Sequence, residues 1–179
     1  GEILFDGKRI DEIPQSVFKG SLTMVDQQVA LFHDTIANNI KMWDETIENY
    51  EMVISARDAG IHRQIMSRKD GYQTMVDEGG RNLSGGERQR IEIARVLSNE
   101  PSILIMDEAT SALDARTEYE ISEFVHARGI TCIIVAHRLS TIRDCDEIIV
   151  LDHGKVVQRG THDELMASEG LYKQLIMTA

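Results

Sequence analysis

The sequence predicts an α/β fold with a mainly parallel sheet, and three observations lead to this prediction. Three short apolar runs have the length and composition of buried strands, at residues 103–106, 130–135 and 147–151. Two helical patterns lie between them, at residues 114–127 and 139–143. Strand–helix–strand alternation is typical of a parallel sheet whose two faces are covered. The carboxylates of Asp107 and Glu108 follow the first run, at the edge where open α/β sheets bind ligands.

The two ends of the chain carry weaker β and helix patterns. A further short β-like run covers residues 21–25, and Asp6-Gly7 predicts a turn near the start of the chain. At the other end, the pattern predicts a hairpin at residues 150–157 and a closing helix at residues 165–177.

Residues 35–90 are mainly helical in pattern. One amphipathic stretch covers residues 46–57. Apolar residues recur there at helical spacing and are expected to share one face, namely Ile47, Tyr50, Val53 and Ile54.

Composition limits the class of protein. A chain of 179 residues with 42% hydrophobic residues is long enough for one domain, or for one domain with an inserted subdomain. The formal net charge of −11 argues against nucleic acid as a direct partner. Cys132 and Cys145 have no metal-ligand spacing, and isolated cysteines fit a reducing, cytosolic compartment. No run of eighteen apolar residues predicts a membrane span.

The pair Asp107 and Glu108 forms half of a nucleotide-hydrolysis site. The first carboxylate can hold a metal ion, and the second can polarise a water molecule. The other half should be a glycine-rich phosphate loop, and no stretch of the chain reads Gly-x-x-x-x-Gly-Lys-Ser/Thr.

A second signal lies about twenty residues earlier, in the run LSGGE at residues 83–87. Ser84 can cap a helix, and Glu87 at the third helical position completes a capping box. Gly85 and Gly86 let the backbone approach a bulky anion, and a helix N-terminus offers free N–H groups to it. The pattern alone also fits an ordinary helix start. Its separation from the carboxylate pair is typical of one strand–helix step, which favours the anion site.

These motifs together resemble the nucleotide-binding domain of ATP-binding cassette (ABC) transporters. The run LSGGERQR at residues 83–90 resembles the signature motif, and ILIMD at residues 103–107 resembles the Walker B strand. The remaining motifs match the catalytic glutamate at Glu108, the D-loop SALD ending at Asp114, the switch histidine at His137 and the Q-loop glutamine at Gln27. They stand in the family's order and cover nearly the whole chain.

The resemblance implies a three-layer RecA-like P-loop NTPase core with a mainly parallel sheet and an inserted all-helical subdomain. It implies a remnant of the N-terminal β/RecA-like part at residues 1–34, a helical signature subdomain at 35–90, and the core with Walker B, D-loop and H-loop at 91–179. In the family, the phosphate loop (Walker A) precedes a segment like residues 1–7. We therefore expect an incomplete core, truncated before Gly1, that by itself binds ATP weakly and does not hydrolyse it.

The resemblance also implies ATP and Mg²⁺ as ligands. Asp107 and Gln27 are implied to support the metal, Glu108 to orient the attacking water, and His137 to bind the γ-phosphate. The signature residues are implied to bind the nucleotide of a second domain in a head-to-tail dimer, close to Asp114: they are Ser84, Gly85, Gly86 and Glu87.

Glu87 departs from the family pattern, which usually has glutamine at this position. A carboxylate adds negative charge near a phosphate site. Either it weakens nucleotide binding, or the capping geometry turns it away from the phosphate.

The segment TMVDEGG at residues 74–80 resembles the exporter-specific segment that contacts the transmembrane domain, with Glu78 at its acidic position. The sequence of these motifs is similar to that of bacterial peptide and bacteriocin exporters. This resemblance implies that the domain lies at the cytoplasmic face of the plasma (inner) membrane.

Two other functions remain open at this stage. The chain could be a non-enzymatic fragment or regulatory cassette module, or it could belong to a DNA-repair or chromosome-structure ABC ATPase. The roughly 55 residues between Gln27 and Ser84 contain no sustained heptads, which argues against the coiled coils of the second class.

Overall fold

The described part of the molecule forms two compact units. A computed structural model describes residues 1–26, 28–136 and 138–178, without the side chains of Leu139 and Ser140. The first unit is Gly1–Val135, and the second begins at Ala136. Each unit has a buried apolar cluster of its own.

Strands and helices agree closely with several predicted bounds. The strands are β1 (Leu4–Phe5), β2 (Lys8–Arg9), β3 (Leu22–Val25), β4 (Ile103–Asp107), β5 (Thr131–Val135), β6 (Ile148–Asp152) and β7 (Lys155–Gly160). The α-helices are α1 (Gln15–Ser21), α2 (Ile36–Lys41), α3 (Asn49–Asp58), α4 (His62–Met66), α5 (Gly85–Leu97), α6 (Ala115–Ala127), α7 (Leu139–Ile142), α8 (His162–Ala167) and α9 (Leu171–Thr178). Short 3₁₀ turns lie at Ile10–Glu12, Gly71–Gln73 and Glu78–Gly80. Within the described ranges, no helix is both long and apolar enough to cross a bilayer.

A parallel sheet with β4 at its centre lies in the first unit. β4 pairs with β3 on one side and with β5 on the other, and both pairings are parallel. The predicted α/β fold with a parallel sheet is therefore confirmed. Asp6 and Gly7 both have positive φ between β1 and β2, so the turn predicted there is also present. The short hairpin that it closes is separate from the parallel sheet.

One face of the parallel sheet is buried against helix α5. Side chains alternate between faces along a strand, and the buried set includes Val25, Leu104 and Met106. Helix α5 contacts β3, α2 and α3, and it contributes Ile91 and Leu97 to the same cluster. Each fully buried aliphatic side chain contributes about 1.5–3 kcal/mol, so this packing is the main stabilisation of the first unit.

The opposite face of the sheet is open. Met24, Ile133 and Val135 point to that face and are 46%, 53% and 49% exposed. The two covered faces that are typical of such alternation are therefore not both present, and the open face agrees with the incomplete core expected from the sequence. Among the described residues, no helix shields these three side chains as α5 shields the other face.

Helix α3 presents a different face to the core than the one predicted. Glu48 and Glu51 form a capping box that starts the helix at Asn49, and Met52, Ser55 and Ala56 are its buried residues. Of the apolar residues expected on the buried face, Tyr50 and Ile54 are exposed, Val53 is partly buried, and Ile47 is buried ahead of the helix. Small side chains let two helices approach closely, which is why the side with Ser55 and Ala56 faces α5.

The second unit is built on an antiparallel hairpin. β6 pairs antiparallel with β7, which confirms the predicted hairpin. The run at residues 147–151 was expected to continue the parallel alternation, and this expectation is wrong, because among the described strands β6 pairs only with β7. Ile148 and Val150 of this hairpin pack with Leu165 and Tyr172. The single helix predicted at residues 165–177 is wrong, because the backbone is extended at Ser168 and the region forms α8 and α9 instead.

The open sheet face predicts that the 179-residue chain self-associates. We expect light scattering at tens of micromolar to show dimers or larger species, because exposed apolar strands recruit other chains. Replacing Met24, Ile133 and Val135 together with threonine should shift the chain toward monomer. A matched control replaces three exposed apolar residues elsewhere with threonine, namely Ile3, Met66 and Met177. A monomeric wild-type chain, or equal effects of both triple variants, would contradict this prediction.

Candidate functional site

The candidate site begins where β4 ends. Asp107 is the last residue of β4 and is partly exposed. The backbone of Glu108 donates to the carbonyl oxygen of Val135 at 3.0 Å and adopts a positive φ of 47°. A left-handed backbone is uncommon for a residue with a side chain and costs on the order of 1–3 kcal/mol. The chain therefore turns sharply at Glu108, directly after the metal-type carboxylate.

The loop after Glu108 is anchored on helix α6. The Thr110 hydroxyl donates to Oε1 of Glu118 at 2.7 Å, and both residues are buried. Asp114 caps α6, with Oδ1 accepting the backbone N–H of Thr117 at 3.0 Å and Oδ2 accepting its hydroxyl at 2.7 Å. These hydrogen bonds lower the pKa of Asp114. Asp114 therefore has a capping role of its own, whatever else it contacts.

Helix α5 begins with the predicted capping box. The Ser84 side chain accepts the backbone N–H of Glu87 at 3.2 Å, and Oε2 of Glu87 accepts the backbone N–H of Ser84 at 2.8 Å. Ser84 is exposed, and Gly85 and Gly86 are partly exposed. An exposed helix start of this kind presents N–H groups and a positive dipole end to an anion.

The Glu87 carboxylate is held by two partners inside the chain. Besides the Ser84 backbone, Arg68 Nη2 lies 2.7 Å from its Oε1. Burial raises the pKa of Glu87, but the hydrogen bonds from Ser84 and Arg68 outweigh burial, and the net pKa is lowered. Of the two outcomes left open by the sequence, the structure therefore favours the capping geometry, with the carboxylate engaged by Arg68.

The helix start and the loop after β4 lie against each other. A Cβ on Gly86 would be 3.3 Å from the carbonyl oxygen of Ala112, and one on Gly85 would be 3.6 Å from its Cβ. Gln89, one turn further along α5, is buried and hydrogen-bonds both Ser111 and Ala112. Sequence reasoning missed Gln89. Its position four residues after Gly85, on the same face of the helix, was the available signal.

Glu78 lies in an exposed turn that directly precedes the start of α5, where the Arg88 side chain donates to the carbonyl oxygen of Gly80 at 3.4 Å. The Glu78 side chain is 88% exposed, and Arg81 is 3.9 Å away. The preceding residues are tied to the start of α2, since the backbone of Val76 donates to Asp34 at 2.8 Å and Thr35 pairs with Met75.

Exposed apolar side chains surround that connection. Phe32 and Trp43 are in edge contact, with ring centroids 5.3 Å apart, and the Trp43 indole N–H donates to Asp34 at 2.8 Å. We call the exposed residues Phe32, Met42, Trp43 and Met75 the aromatic–methionine patch.

The structure brings most predicted site residues into two groups. Asp107, Glu108 and Asp114 share the loop after β4, and the signature residues 84–87 lie against that loop. Glu78 lies in the exposed turn before α5, and its neighbour Gly79 lines one cavity together with Gly85 and Ala112. Gln27 and His137 were predicted to complete the site, and both lie outside the described residues.

The donor set at β4 fits a metal held mainly by a nucleotide. The described residues contain no group of three or more His, Cys, Asp or Glu side chains able to hold a metal ion. Mg²⁺ at phosphate sites is commonly bound through one or two carboxylates together with phosphates and water. Asp107 therefore suits Mg²⁺ bound with a nucleotide, and the arrangement does not suit a metal held by protein ligands alone.

Comparisons with known proteins point to one family. A family model described as ABC transporter matches residues 1–111. The chain is 44% identical to "ABC transporter B family member 24, mitochondrial" of Arabidopsis thaliana, covering 98% of this chain and 26% of that protein. It is 43% identical to an "ATP-dependent lipid A-core flippase" of Syntrophus aciditrophicus, covering 98% of this chain and 30% of that protein. It is 44% identical to "ABC-type oligopeptide transporter ABCB9" of Homo sapiens, covering 98% of this chain and 23% of that protein.

A solved structure gives the same result. The structure of a bacterial Atm1-family ABC exporter with ATP bound superposes with a TM-score of 0.93 and 42% identity, covering 99% of this chain and 32% of that chain. The chain thus spans about a quarter to a third of the length of the proteins that it matches.

The Glu87–Arg68 pair predicts a pH-dependent contribution to stability. Because the pKa of Glu87 is lowered on folding, its contribution is present above the unfolded-state pKa and is lost as pH falls through the folded-state pKa. Glu87→Gln keeps the capping box but loses the ion pair. Urea unfolding should show a deficit of about 1 kcal/mol at pH 7 and a smaller deficit at an acidic pH at which the chain is still folded. Glu78→Gln, at an exposed carboxylate, is the control. A deficit for Glu87→Gln that is the same at both pH values would contradict the assignment.

Proposed function

The chain belongs to the ABC transporter family, and on that premise we propose that it binds ATP and hydrolyses it to power export across a membrane. One observation carries this proposal: the loop that follows the carboxylate pair Asp107 and Glu108 packs against the start of the signature helix α5. Phosphoryl transfer to water needs charge neutralisation and a positioned nucleophile, and the two groups supply complementary parts of that requirement.

Each residue has a role in the proposed reaction. Asp107 and Gln27 would hold Mg²⁺ with the nucleotide, where the ion neutralises phosphate charge. The Glu108 carboxylate accepts a hydrogen bond from the attacking water, and in this way it orients and polarises the water. His137 donates a hydrogen bond to the γ-phosphate. The backbone turn at Glu108 supports the proposed role of Glu108, because the chain leaves β4 immediately after Asp107.

The active unit in this proposal is a head-to-tail pair of such domains. Ser84, Gly85 and Gly86 would bind the γ-phosphate of the nucleotide held by the second domain, and Asp114 would lie near the same interface. The exposed start of α5 supports this role. The proposed division into residues 1–34, 35–90 and 91–179 follows the same scheme, with α5 continuing across residue 90 as the link between the helical part and the core.

The 179-residue chain by itself is proposed to be inactive. No stretch of the sequence reads Gly-x-x-x-x-Gly-Lys-Ser/Thr, so the usual lysine-bearing anchor for the phosphates is missing from these residues. The chain would then act only as part of a longer polypeptide, at the cytoplasmic face of a membrane. A DNA-repair or chromosome-structure role is not favoured, since the helices described between residues 28 and 84 are short.

The transmembrane domain is the proposed partner of the aromatic–methionine patch and Glu78. The patch exposes large apolar side chains beside an exposed carboxylate, and interface cores are enriched in aromatic residues and methionine. The hydrogen bonds that join the start of α2 to residues 74–76 support a shared contact surface.

The transported substrate is proposed to be a peptide. The resemblance to peptide and bacteriocin exporters favours a peptide, and one relative is named an oligopeptide transporter, while another is named a lipid A-core flippase. The vesicle assay described below for Glu78 tests this choice when it is run with peptide and with lipid.

Replacing Glu108 with glutamine in the full transporter should stop hydrolysis and leave ATP binding intact. Loss of a group that positions and polarises the water costs on the order of 10²-fold in turnover, while the nucleotide contacts persist. Steady-state ATPase assays and equilibrium ATP binding measure the two effects. Glu123→Ala, at an exposed position on α6, is the control. Turnover near wild type in Glu108→Gln would remove Glu108 from the catalytic role.

Replacing Glu78 with alanine should lower transport more than basal ATP turnover. The reason is that the Glu78 side chain is 88% exposed and lies in the proposed contact surface, whereas the proposed water-positioning carboxylate is Glu108. Transport of a labelled substrate into reconstituted vesicles and ATPase rates are measured on the same preparation, with Glu123→Ala as the charge-matched control. An equal loss of both rates, or no loss, would show that Glu78 is an ordinary surface carboxylate.

A further inference from the structure

The buried side chain of Gln89 joins two segments that are far apart in sequence. It is 4% exposed and projects from the second turn of α5. Its Nε2 donates to the Ser111 hydroxyl oxygen at 3.1 Å, and its Oε1 accepts the backbone N–H of Ala112 at 2.9 Å. One amide therefore uses both its donor and its acceptor on a single loop. A buried amide satisfied in this way fixes the relative position of its partners, because an unpaired buried polar group is costly.

Close packing reinforces these two hydrogen bonds. Gly86 lies so near the loop that an added Cβ would be 3.3 Å from the Ala112 carbonyl oxygen and 3.5 Å from the Leu113 side chain. Gly85 and Gln89 are four residues apart and share one face of the helix. The first two turns of α5 and residues 111–113 are consequently packed as one block.

The same loop carries the backbone of Glu108. The Ser111 N–H donates to the Glu108 carbonyl oxygen at 3.1 Å, and Glu108 has a positive φ of 47°. A residue held in a sparsely populated conformation depends on its surroundings to keep it there. A shift of the start of α5 would thus pass through Gln89 and Ser111 to the backbone that aims Glu108.

We infer that Gln89 is a positioning residue that couples the phosphate contact at Ser84 to Glu108 of the same domain. The inference rests on the proposed function. In a head-to-tail pair, Ser84 serves the nucleotide of the partner domain, whereas Glu108 serves the nucleotide of its own domain. Gln89 therefore links the two ATP sites, so that occupancy of one site positions the catalytic carboxylate of the other. For such a coupling, ATP bound at one site changes the ATP affinity of the other site by the same factor in both directions.

The test uses Gln89→Met in the full transporter. Methionine keeps the length of the side chain and removes both hydrogen bonds. We expect kcat to fall about tenfold, equivalent to about 1.4 kcal/mol. The Hill coefficient of ATP turnover should fall toward 1, because the two sites no longer communicate.

Two companion variants separate positioning from folding. Gln89→Glu can still accept the Ala112 N–H and a rotated Ser111 hydroxyl, so it should restore most of kcat and of the cooperativity. Gln158→Met is the matched control, since Gln158 Oε1 accepts the backbone N–H of Tyr172 at 2.9 Å in the second unit. We expect it to lower the thermal midpoint without changing kcat or the Hill coefficient per folded molecule.

The outcomes distinguish this inference from the function on which it rests. A full transporter that lacks ATP turnover contradicts both. An active wild type whose kcat and Hill coefficient survive Gln89→Met overturns the coupling alone. Equal losses in Gln89→Met and Gln89→Glu, accompanied by a lower thermal midpoint like that of Gln158→Met, also overturn it, because they show a purely structural glutamine.

Discussion

The packing of helix α5 on the parallel sheet is the interaction on which the rest of the first unit depends. Its apolar side buries Ile91, Ala94 and Leu97 in the cluster that contains Leu104 of β4. The far end of the helix is held by polar contacts as well. Arg128 Nη1 donates to the Leu97 carbonyl oxygen at 3.0 Å. With one end fixed in this way, the other end, at Ser84, is placed against the loop that follows β4.

Arg95 shows how tightly that packing is specified. It is buried on α5 and donates from Nε to the Asn39 carbonyl oxygen at 2.7 Å and from Nη1 to the Ala30 carbonyl oxygen at 3.0 Å. Burial lowers the pKa of Arg95, and the adjacent Glu92 carboxylate opposes that effect. A buried charged side chain is costly unless it is hydrogen-bonded, and here Nε and Nη1 are paired, whereas the buried Nη2 has no hydrogen-bond partner among the described residues. The contacts of Arg95 tie α5 to both ends of the segment that leads into and along α2, so the signature helix and the exposed aromatic–methionine patch share one support.

A single scaffold thereby holds two surfaces with different proposed tasks. The loop after β4 and the start of α5 form the proposed chemical site, where the strained backbone at Glu108 and the close approach of Gly86 both require fixed neighbours. The aromatic–methionine patch and Glu78 form the proposed contact with the transmembrane domain. Because both surfaces are attached to α5, movement at one has a packed route to the other, and rigid, close-packed interiors transmit strain.

The sequence by itself determined the features that depend on local chemistry. The capping box at Ser84 and the alternation of β4, α6 and β5 could be predicted, because caps and short apolar runs act over a few residues. The family resemblance followed from the same motifs, and its fold is confirmed. The sequence also indicated the unusual charge of Glu87, but not that Arg68, nineteen residues away, would engage it.

Only the tertiary structure decided features that depend on distant neighbours. Periodicity placed Tyr50 and Ile54 on the inner side of α3, whereas contact with α5 selected the smaller Ser55 and Ala56. Strand–helix alternation indicated a sheet with covered faces and the missing phosphate loop indicated an incomplete core, and the structure decided which face of the sheet stays open. The sequence placed Gln89 on the same face of the helix as Gly85 but did not show its partner, because its hydrogen bond spans 22 residues to Ser111. The sequence pattern indicates which residues are apolar and which can cap a helix, but long-range packing decides which of them are in contact.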